Sequence, residues 1–561
     1  MLTIQSWLEG VGRKRRPPEE CPHWPPDLYA IAGGLLKRSG AYLRVFDRIA
    51  RSESYLDGID AIGDAWRARI EGLPKRVTIP ALLSARPKEV LQLWKRLIAH
   101  KETKISEVRD SKSLSEDLIR MTLIADEACA GIGIDWDLEP SDQSASRRSI
   151  FLSLADTALS SNKNRSFCWD LSVDVICVLA KQHTPQLGAT FRSLSHHLAL
   201  YLPTDITARW MNPYPRAESP LAHKSLNLLL LPWPIRIKAD DFWEVHRVRR
   251  ETDVTATSSY FRFDPEEHES TAQFRKRLRR TLEHARRESG KIDAIIFPEL
   301  ALTETQYYEA ERVAFDERAI LIAGLREKRT GLYDWDLNWC AVQPAGMLRE
   351  TNDRYRRNDR LIESLRLRQP KHHRWRLTHE QIISYQLSGR LPVQSDCWEN
   401  AELLPRIMHF VTLNHMTWSV LVCEDLARQD PAADLIRAVG PNLLIALLMD
   451  GPQLKARWPG RYAGVLAEDP GTSVLTLTSL GMSVRSRPIN SGKRMEISRV
   501  IALWNDAEEG EVEISLDEGD DACVLTLECR KVTEYRADGR GDGSETRCPV
   551  FAGFKSFRTE P

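Results

Sequence analysis

No two cysteines in this sequence are spaced C-x-x-C. The ten cysteines, at positions 21, 129, 168, 177, 340, 397, 423, 523, 529 and 548, are scattered. That argues against a zinc site or a disulfide framework and for a reducing, cytoplasmic setting. Net charge is also missing. Lys+Arg and Asp+Glu both number 79, so no overall field draws the chain toward nucleic acid or a membrane surface. No stretch reaches the roughly 18 consecutive apolar residues that a membrane helix needs. The apolar run Leu226 to Leu231, among the longest, is broken by Asn227 and is strand-sized. The start, MLTIQSWLEGVGRKRRPPEE, does not read as a signal peptide, because its basic cluster follows a short apolar stretch interrupted by Glu9. There is no internal repeat, and no Y-x-D-D polymerase signature follows a hydrophobic strand. What remains is ordinary: 561 residues, 42% hydrophobic and 28% charged, the composition of a soluble globular chain with two to four domains.

Hydrophobic periodicity divides the chain. Residues 1–205 read as a helical assembly or regulatory domain, with apolar residues at helical spacing in Asp27–Leu43, Lys88–His100, Ser113–Ala130, Arg147–Leu159, Cys168–Lys181 and Ala189–Leu200. A linker is expected over 206–224, where MNPYPRAESPL carries three prolines. From 225 to 532, short apolar runs alternate with helical segments. The runs are Leu226–Leu231, Ile292–Phe297, Ile320–Ala323, Cys340–Val342, Thr417–Val422, Leu443–Leu448, Ser473–Leu477, Val500–Trp504 and Cys523–Leu527, with helices such as Ser270–Ser289 and Ala432–Val439 between them. That alternation predicts a packed α/β domain. Residues 533–561, which include ADGRGDGSETR, are expected to form a loose tail.

Three polar residues in the α/β domain can carry chemistry. Cys423, in MTWSVLVCEDLAR, sits where a strand stops and a helix begins. Helix N–H groups there can lower a thiol pKa and hold an oxyanion. The bland alternative is a buried core cysteine. Glu299, in KIDAIIFPELALTE, follows a strand and is flanked by Leu300 and Leu302. Apolar walls raise a carboxyl pKa and suit a general base, although strand-end glutamates are common in turns. Lys371, in QPKHHRWRLTHE, can stabilise an oxyanion, although most lysines in so basic a stretch are solvated. Base, cation and nucleophile together follow the logic of thiol-based acyl transfer.

In this order and spacing, FPELALT (297–303), AILIAGLRE (319–327), NWCAVQPAG (338–346), KHH (371–373) and LVCEDLAR (421–428) resemble the nitrilase, or carbon–nitrogen hydrolase, superfamily. Arg457, Trp458 and Arg461 resemble the segment after the next strand. The resemblance implies a four-layer α-β-β-α sandwich behind the mainly α-helical N-terminal domain. It implies a hydrolase of amides or nitriles with Cys423 as nucleophile, Glu299 as base and Lys371 as oxyanion stabiliser. The backbone N–H of Glu424 would help Lys371, and Glu380, nine residues beyond it (380 − 371), would be the second glutamate. It implies no cofactor and no metal, a small-molecule amide or nitrile substrate, and a homo-oligomer. The stretch Met449 to Met482 resembles a subgroup found beside bacterial defence reverse transcriptases. That implies an alternative: a non-catalytic sensor or scaffold in antiviral defence, with a protein or nucleic-acid partner and no membrane.

Other features read more plainly. The arginines at 354, 356, 357, 360, 366 and 368 either shape a pocket for an anion or, as charge runs more often do, form a solvated surface. The basic segment 275–287 fits an amphipathic helix packed through Phe274, Leu278 and Leu282, with its charges in solvent. His196 and His197 fall in a helical pattern, where packing or capping is expected in the absence of clustered ligands. Cys21 and His23 belong to a proline-crowded loop that packs Trp24 on the core. Asp126 and Glu127 are expected on a solvated helix face.

Overall fold

The computed structural model describes residues 2–559 apart from 15, 48–52, 75, 134–148, 186–189, 213–223, 248–257, 266–268, 330–334, 345, 347–358, 414–415, 429, 488–496, 535 and 538–545. Two seven-stranded sheets organise it. The first runs Leu367–Pro370, Leu337–Gln343, Ile320–Glu327, Ala294–Leu302, Ser225–Leu230, Ala522–Lys531, Arg547–Phe557 in spatial order. The second runs Gly510–Ser515, Val500–Asp506, Ser473–Thr478, Leu443–Leu448, Met416–Val422, Arg406–Leu413, Ile206–Met211.

Alternation along the strands explains why the sheets stack. Leu228, Leu230, Ala294, Ile296, Ile320 and Ile322 join one apolar cluster with Val420, Val422 and Leu443 of the opposing sheet. Their neighbours Leu229, Ile295, Phe297, Leu321 and Ala323 face outward, against Phe274, Leu278 and Leu282 of helix Thr271–Ser289 and Tyr307 and Val313 of helix Glu304–Asp316. Strands buried on both faces need continuous apolar runs, which is what the sequence holds. Helices Ala432–Val439 and Trp458–Glu468 cover the second sheet. The result is a four-layer α-β-β-α sandwich. The carboxyl ends of its inner parallel strands deliver Glu299 and Cys423 to the same end of the stack.

Each of the nine apolar runs named from the sequence falls on a strand, with only Leu231 and the pair 292–293 lying just outside. The domain limits differ from expectation. Ile206–Met211 is no linker: it pairs in parallel with Arg406–Leu413 as the edge of the second sheet, because its alternating burial suits an edge strand. Most of the proline-rich segment after it lies outside the described residues. Nor is 533–561 a loose tail throughout. Arg547–Phe557 closes the first sheet against Ala522–Lys531, and Glu534 and Arg536 are buried. Two helices expected in the N-terminal region are absent. Cys177–Ala180 and Leu198–Tyr201 form an antiparallel ribbon, since the apolar clusters there are too short to outweigh cross-strand pairing. The remaining N-terminal helices include Pro25–Ser39 packed on Lys112–Glu127. Trp24 stacks on Phe151 and donates to Phe167 O at 2.9 Å.

The charges on helix Thr271–Ser289 are mostly paired. Arg275 meets Glu309 at 3.1 Å, Arg279 meets Asp316 at 2.8 Å and Arg286 meets Glu317 at 2.6 Å. Carboxylates on the helix beside it thus occupy the surface that a phosphate backbone would need.

Asp27 is fully buried and accepts the backbone N–H of Trp169 at 2.9 Å and of Asp170 at 3.2 Å. Burial first, and then the charge of Asp170, push its carboxyl up to about 7. A carboxyl raised above its unfolded value stabilises the fold fully below that value, and the contribution is lost as pH rises through the folded one. Unfolding free energy should therefore fall between about pH 4 and pH 7, by up to roughly 4 kcal/mol from this residue. Asp27→Asn should flatten that slope in denaturant titrations across the interval. An unchanged slope would contradict the assignment.

Candidate active site

Glu299 is positioned by a bulge. Strand Ala294–Leu302 pairs Phe297 with Ala323 and then Leu302 with Leu325, so residues 298–301 lie opposite Gly324 alone. A Cβ on Gly324 would stand 2.4 Å from Pro298 O and 2.5 Å from Glu299 Cα, so only glycine lets the bulge lie this close. Leu300 takes φ 54° within it, a conformation costing roughly 1–3 kcal/mol that surrounding structure must hold. Arg326 does so, donating to Leu300 O at 2.9 Å and Ala301 O at 2.7 Å. The bulge turns the Glu299 carboxylate inward, where it is buried.

Lys371 follows strand Leu367–Pro370, and its backbone N–H is tied to Asn338 O at 2.9 Å. Its ammonium is buried between two carboxylates, 2.8 Å from Glu299 Oε1 and 2.6 Å from Glu399 Oε2. Asn338 Nδ2 donates to the same pair, at 2.7 Å to Glu299 Oε1 and 2.7 Å to Glu399 Oε1. Trp375 N donates to Glu399 Oε2 at 3.0 Å. Glu399 Oε2 and Oε1 are thereby both bonded, whereas Glu299 Oε2 accepts no hydrogen bond among the described residues. Burial alone would lower the Lys371 pKa, but the charges of Glu299 and Glu399 outweigh it and hold it well above the ordinary lysine value. Burial, and then repulsion from Glu399 against the pull of Lys371, leave Glu299 above the ordinary carboxylate range.

Cys423 joins strand Met416–Val422 to the short helix Glu424–Ala427 at φ 47° and ψ −107°. Its N–H reaches across to Leu447 O at 2.8 Å, which fixes the turn to the neighbouring strand. The side chain is 1% exposed. Here the structure departs from the expected lowering. Burial and the Glu299 charge push the thiol well above its ordinary value, against the pull of Lys371 and of the Met449 N–H. A thiol so placed keeps its proton until a base removes it.

Asp425 ties the cysteine turn to the lysine loop. Its carboxylate accepts the backbone N–H of His372 at 3.0 Å and of His373 at 2.9 Å, and His373 Nδ1 stands 3.0 Å from it. A roof closes the opposite side. Leu300, Trp375, Tyr385, Met449 and Met482 share an apolar cluster. Tyr385 donates its hydroxyl to Asp450, which Arg457 also grips at 2.9 Å. A cavity of about 90 Å³ is lined by Leu300, Asn338 and Glu399 together with Arg262, Arg326 and Lys328, and neither Glu299, Lys371 nor Cys423 is part of its lining.

The structure brings Glu299, Lys371 and Cys423 together electrostatically and leaves Glu380 out. Glu380 is exposed in the first turn of helix His379–Ser384, where it accepts the Thr378 hydroxyl at 3.2 Å. The glutamate facing Lys371 is Glu399, 28 residues on (399 − 371). Its signal was a lone carboxylate in the alternating triplet Cys397–Glu399, a short strand paired with Ser258–Phe263, and sequence spacing alone could not connect it to the lysine. The Glu424 carboxylate pairs with Arg428. Of the arginine stretch, Arg366 is not solvated: it forks onto Glu311 at 2.8 and 2.6 Å with little exposure. Arg368 meets Glu304 at 3.3 Å and lies over Trp339. Arg354, Arg356 and Arg357 fall outside the described residues.

No family model and no curated protein matches the sequence. Solved structures do resemble it, over about half the chain, and they are members of the nitrilase, or carbon–nitrogen hydrolase, superfamily. A carbon–nitrogen hydrolase from Helicobacter pylori is 12% identical, with 52% of this chain and 86% of that one covered and a TM-score of 0.31. Saccharomyces cerevisiae Nit3, a member of branch 10 of the nitrilase superfamily, is 12% identical, with 55% and 92% covered and a TM-score of 0.32. An amidase from Nesterenkonia sp. is 11% identical, with 55% and 92% covered and a TM-score of 0.31. No described helix is long and apolar enough to cross a membrane.

Removing Glu399 should leave the buried Lys371 under-compensated, whereas Glu380 has little to lose. Glu399→Ala is expected to cost about 3 kcal/mol of unfolding free energy, and Glu380→Ala less than about 0.5 kcal/mol. Chemical denaturation of both variants checks this, and equal costs would refute the assignment of Glu399.

Proposed function

We propose that the chain hydrolyses a non-peptide carbon–nitrogen bond, an amide or a nitrile, through Cys423. The observation that carries this reading is the asymmetry of Glu299. Its Oε1 is held by Lys371 and Asn338, while its Oε2 is unbonded among the described residues and its charge acts on the protonated Cys423 thiol. A general base needs one free oxygen and a raised pKa, and Glu299 has both.

In this mechanism Glu299 Oε2 takes the Cys423 proton as the sulfur attacks the carbonyl carbon. The S–C bond forms, and the carbonyl π electrons move to oxygen. Lys371 and the backbone N–H of Glu424 stabilise that oxyanion. When the tetrahedral species collapses, the C–N bond breaks and Glu299 returns the proton to the leaving amine. Water then attacks the thioester with Glu299 again as base, releasing the acid and the thiol. Glu399 and Asn338 hold Lys371 and Glu299 at fixed separation. No cofactor enters any step.

Two measurements test the reading. An amide-derived electrophile should add one adduct at Cys423, located by mass spectrometry, and Cys423→Ala should lose it while keeping its circular-dichroism spectrum. Undiminished labelling would sink the proposal. A screen of amides, nitriles and ureas then supplies a substrate for a pH profile. Because Glu299 must be ionised and its pKa is raised, activity should fall on the acid side at a pH above the ordinary carboxylate range. Glu399→Gln removes one of the charges that raise it and should move that limb to lower pH. If Cys423→Ala and Glu299→Gln both preserve the biological activity of the chain in a phage-challenge assay, a scaffold or sensor role replaces the hydrolase.

A further inference from the structure

Outside the active site, a group of buried side chains gathers at the end of helix Lys112–Glu127. Asp126 accepts three successive backbone N–H groups, His196 at 2.6 Å, His197 at 3.1 Å and Leu198 at 2.9 Å. This carboxylate curls the chain where it enters strand Leu198–Tyr201, so that two consecutive histidines turn toward the same region. Their ring centroids are 5.9 Å apart. Glu127 follows Asp126, and Gly63 lets the neighbouring helix Glu53–Glu71 pack closely against it, since a Cβ there would stand 2.4 Å from Glu127 Cβ. One ligating atom each from Glu127, His196 and His197 lies within 4.8 Å of the other two.

A further observation points to a ligand. His196 is 1% and His197 7% exposed, yet His196 Nε2 and His197 Nδ1 have no hydrogen-bond partner among the described residues. A buried imidazole nitrogen without a partner is costly, and a cation accepting its lone pair removes the cost.

We propose that Glu127, His196 and His197 form a binding site for a divalent transition metal of the zinc type. Two imidazoles and a carboxylate are borderline ligands suited to such an ion. The ion would clip the last turn of helix Lys112–Glu127 to the strand ribbon that follows it. Arg536 from the C-terminal segment rests on Glu127 and lies 3.8 Å from Asp126. It is a cation facing the site, and it pairs with the Glu127 carboxylate.

The test uses the full chain carrying Cys423→Ser, so that the active-site thiol does not contribute. After loading with Co²⁺ and exhaustive dialysis, about one ion per chain should remain. Its visible bands should be those of nitrogen and oxygen ligands, without thiolate charge transfer. Zn²⁺ should displace the Co²⁺ and raise the melting temperature. His196→Ala, His197→Ala and the volume-conserving Glu127→Gln should each reduce retention about tenfold or more. Because the histidines are buried, the spectrum of the otherwise unaltered site decides even if a histidine variant fails to fold. Failure to retain either metal, a thiolate band, or unchanged retention in folded variants would overturn the proposal. None of these outcomes depends on the hydrolase reading.

Discussion

One buried ammonium organises the end of the sandwich that holds Glu299 and Cys423. Lys371 lies between Glu299 and Glu399 with almost no exposure, and each contact is shorter than 3 Å. A lone charge at that depth would be prohibitively costly, so the carboxylates and the lysine require one another. Asn338 donates to both carboxylates and locks their spacing. Because both pairings and the Asn338 carbonyl hold Lys371, the lysine loop, the glutamate bulge and the Cys397–Glu399 strand are positioned together.

The same economy of contacts reaches the cysteine. Asp425 stands two residues after Cys423 and accepts N–H groups from both histidines that follow Lys371. One carboxylate thus sets the cysteine turn against the lysine loop. The backbone strain at this end is local and matched by specific partners. Leu300 and Cys423 both hold positive φ, and Gly324, Arg326 and the Leu447 carbonyl oppose their relaxation. Strain that is over-determined in this way characterises sites that must hold groups at fixed distances.

Burial governs the chemistry available. It raises the thiol and Glu299 together, so a protonated thiol and a carboxylate with one oxygen unbonded among the described residues share this end of the stack. Trp375, Tyr385 and Met449 pack with Leu300 of the bulge in one apolar cluster, and Tyr385 is anchored through Asp450 and Arg457.

Much of the sandwich was legible in the sequence. Nine apolar runs, bounded by polar turns, named nine strands, because residues buried on both faces of a parallel sheet must be apolar throughout. Glu299 and Cys423 stand just past two of these runs, whereas Lys371 follows the short polar strand Leu367–Pro370, which was not among them, and stood out only through its KHH motif. Edge strands Ile206–Met211 and Arg547–Phe557 were not, since half-exposed alternation beside proline or glycine looks like linker or tail. Tertiary structure alone decided which glutamate meets the lysine. Glu380 is nearer in sequence, but a helix turn carries it into solvent, and the pairing of Cys397–Glu399 with Ser258–Phe263 brings in Glu399 instead. It likewise decided the fate of His196 and His197, whose helical spacing yielded when the Asp126 carboxylate accepted the backbone N–H groups of His196, His197 and Leu198. Local pattern fixes which residues must be buried, whereas long-range hydrogen bonds and ion pairs fix which of the buried polar groups meet.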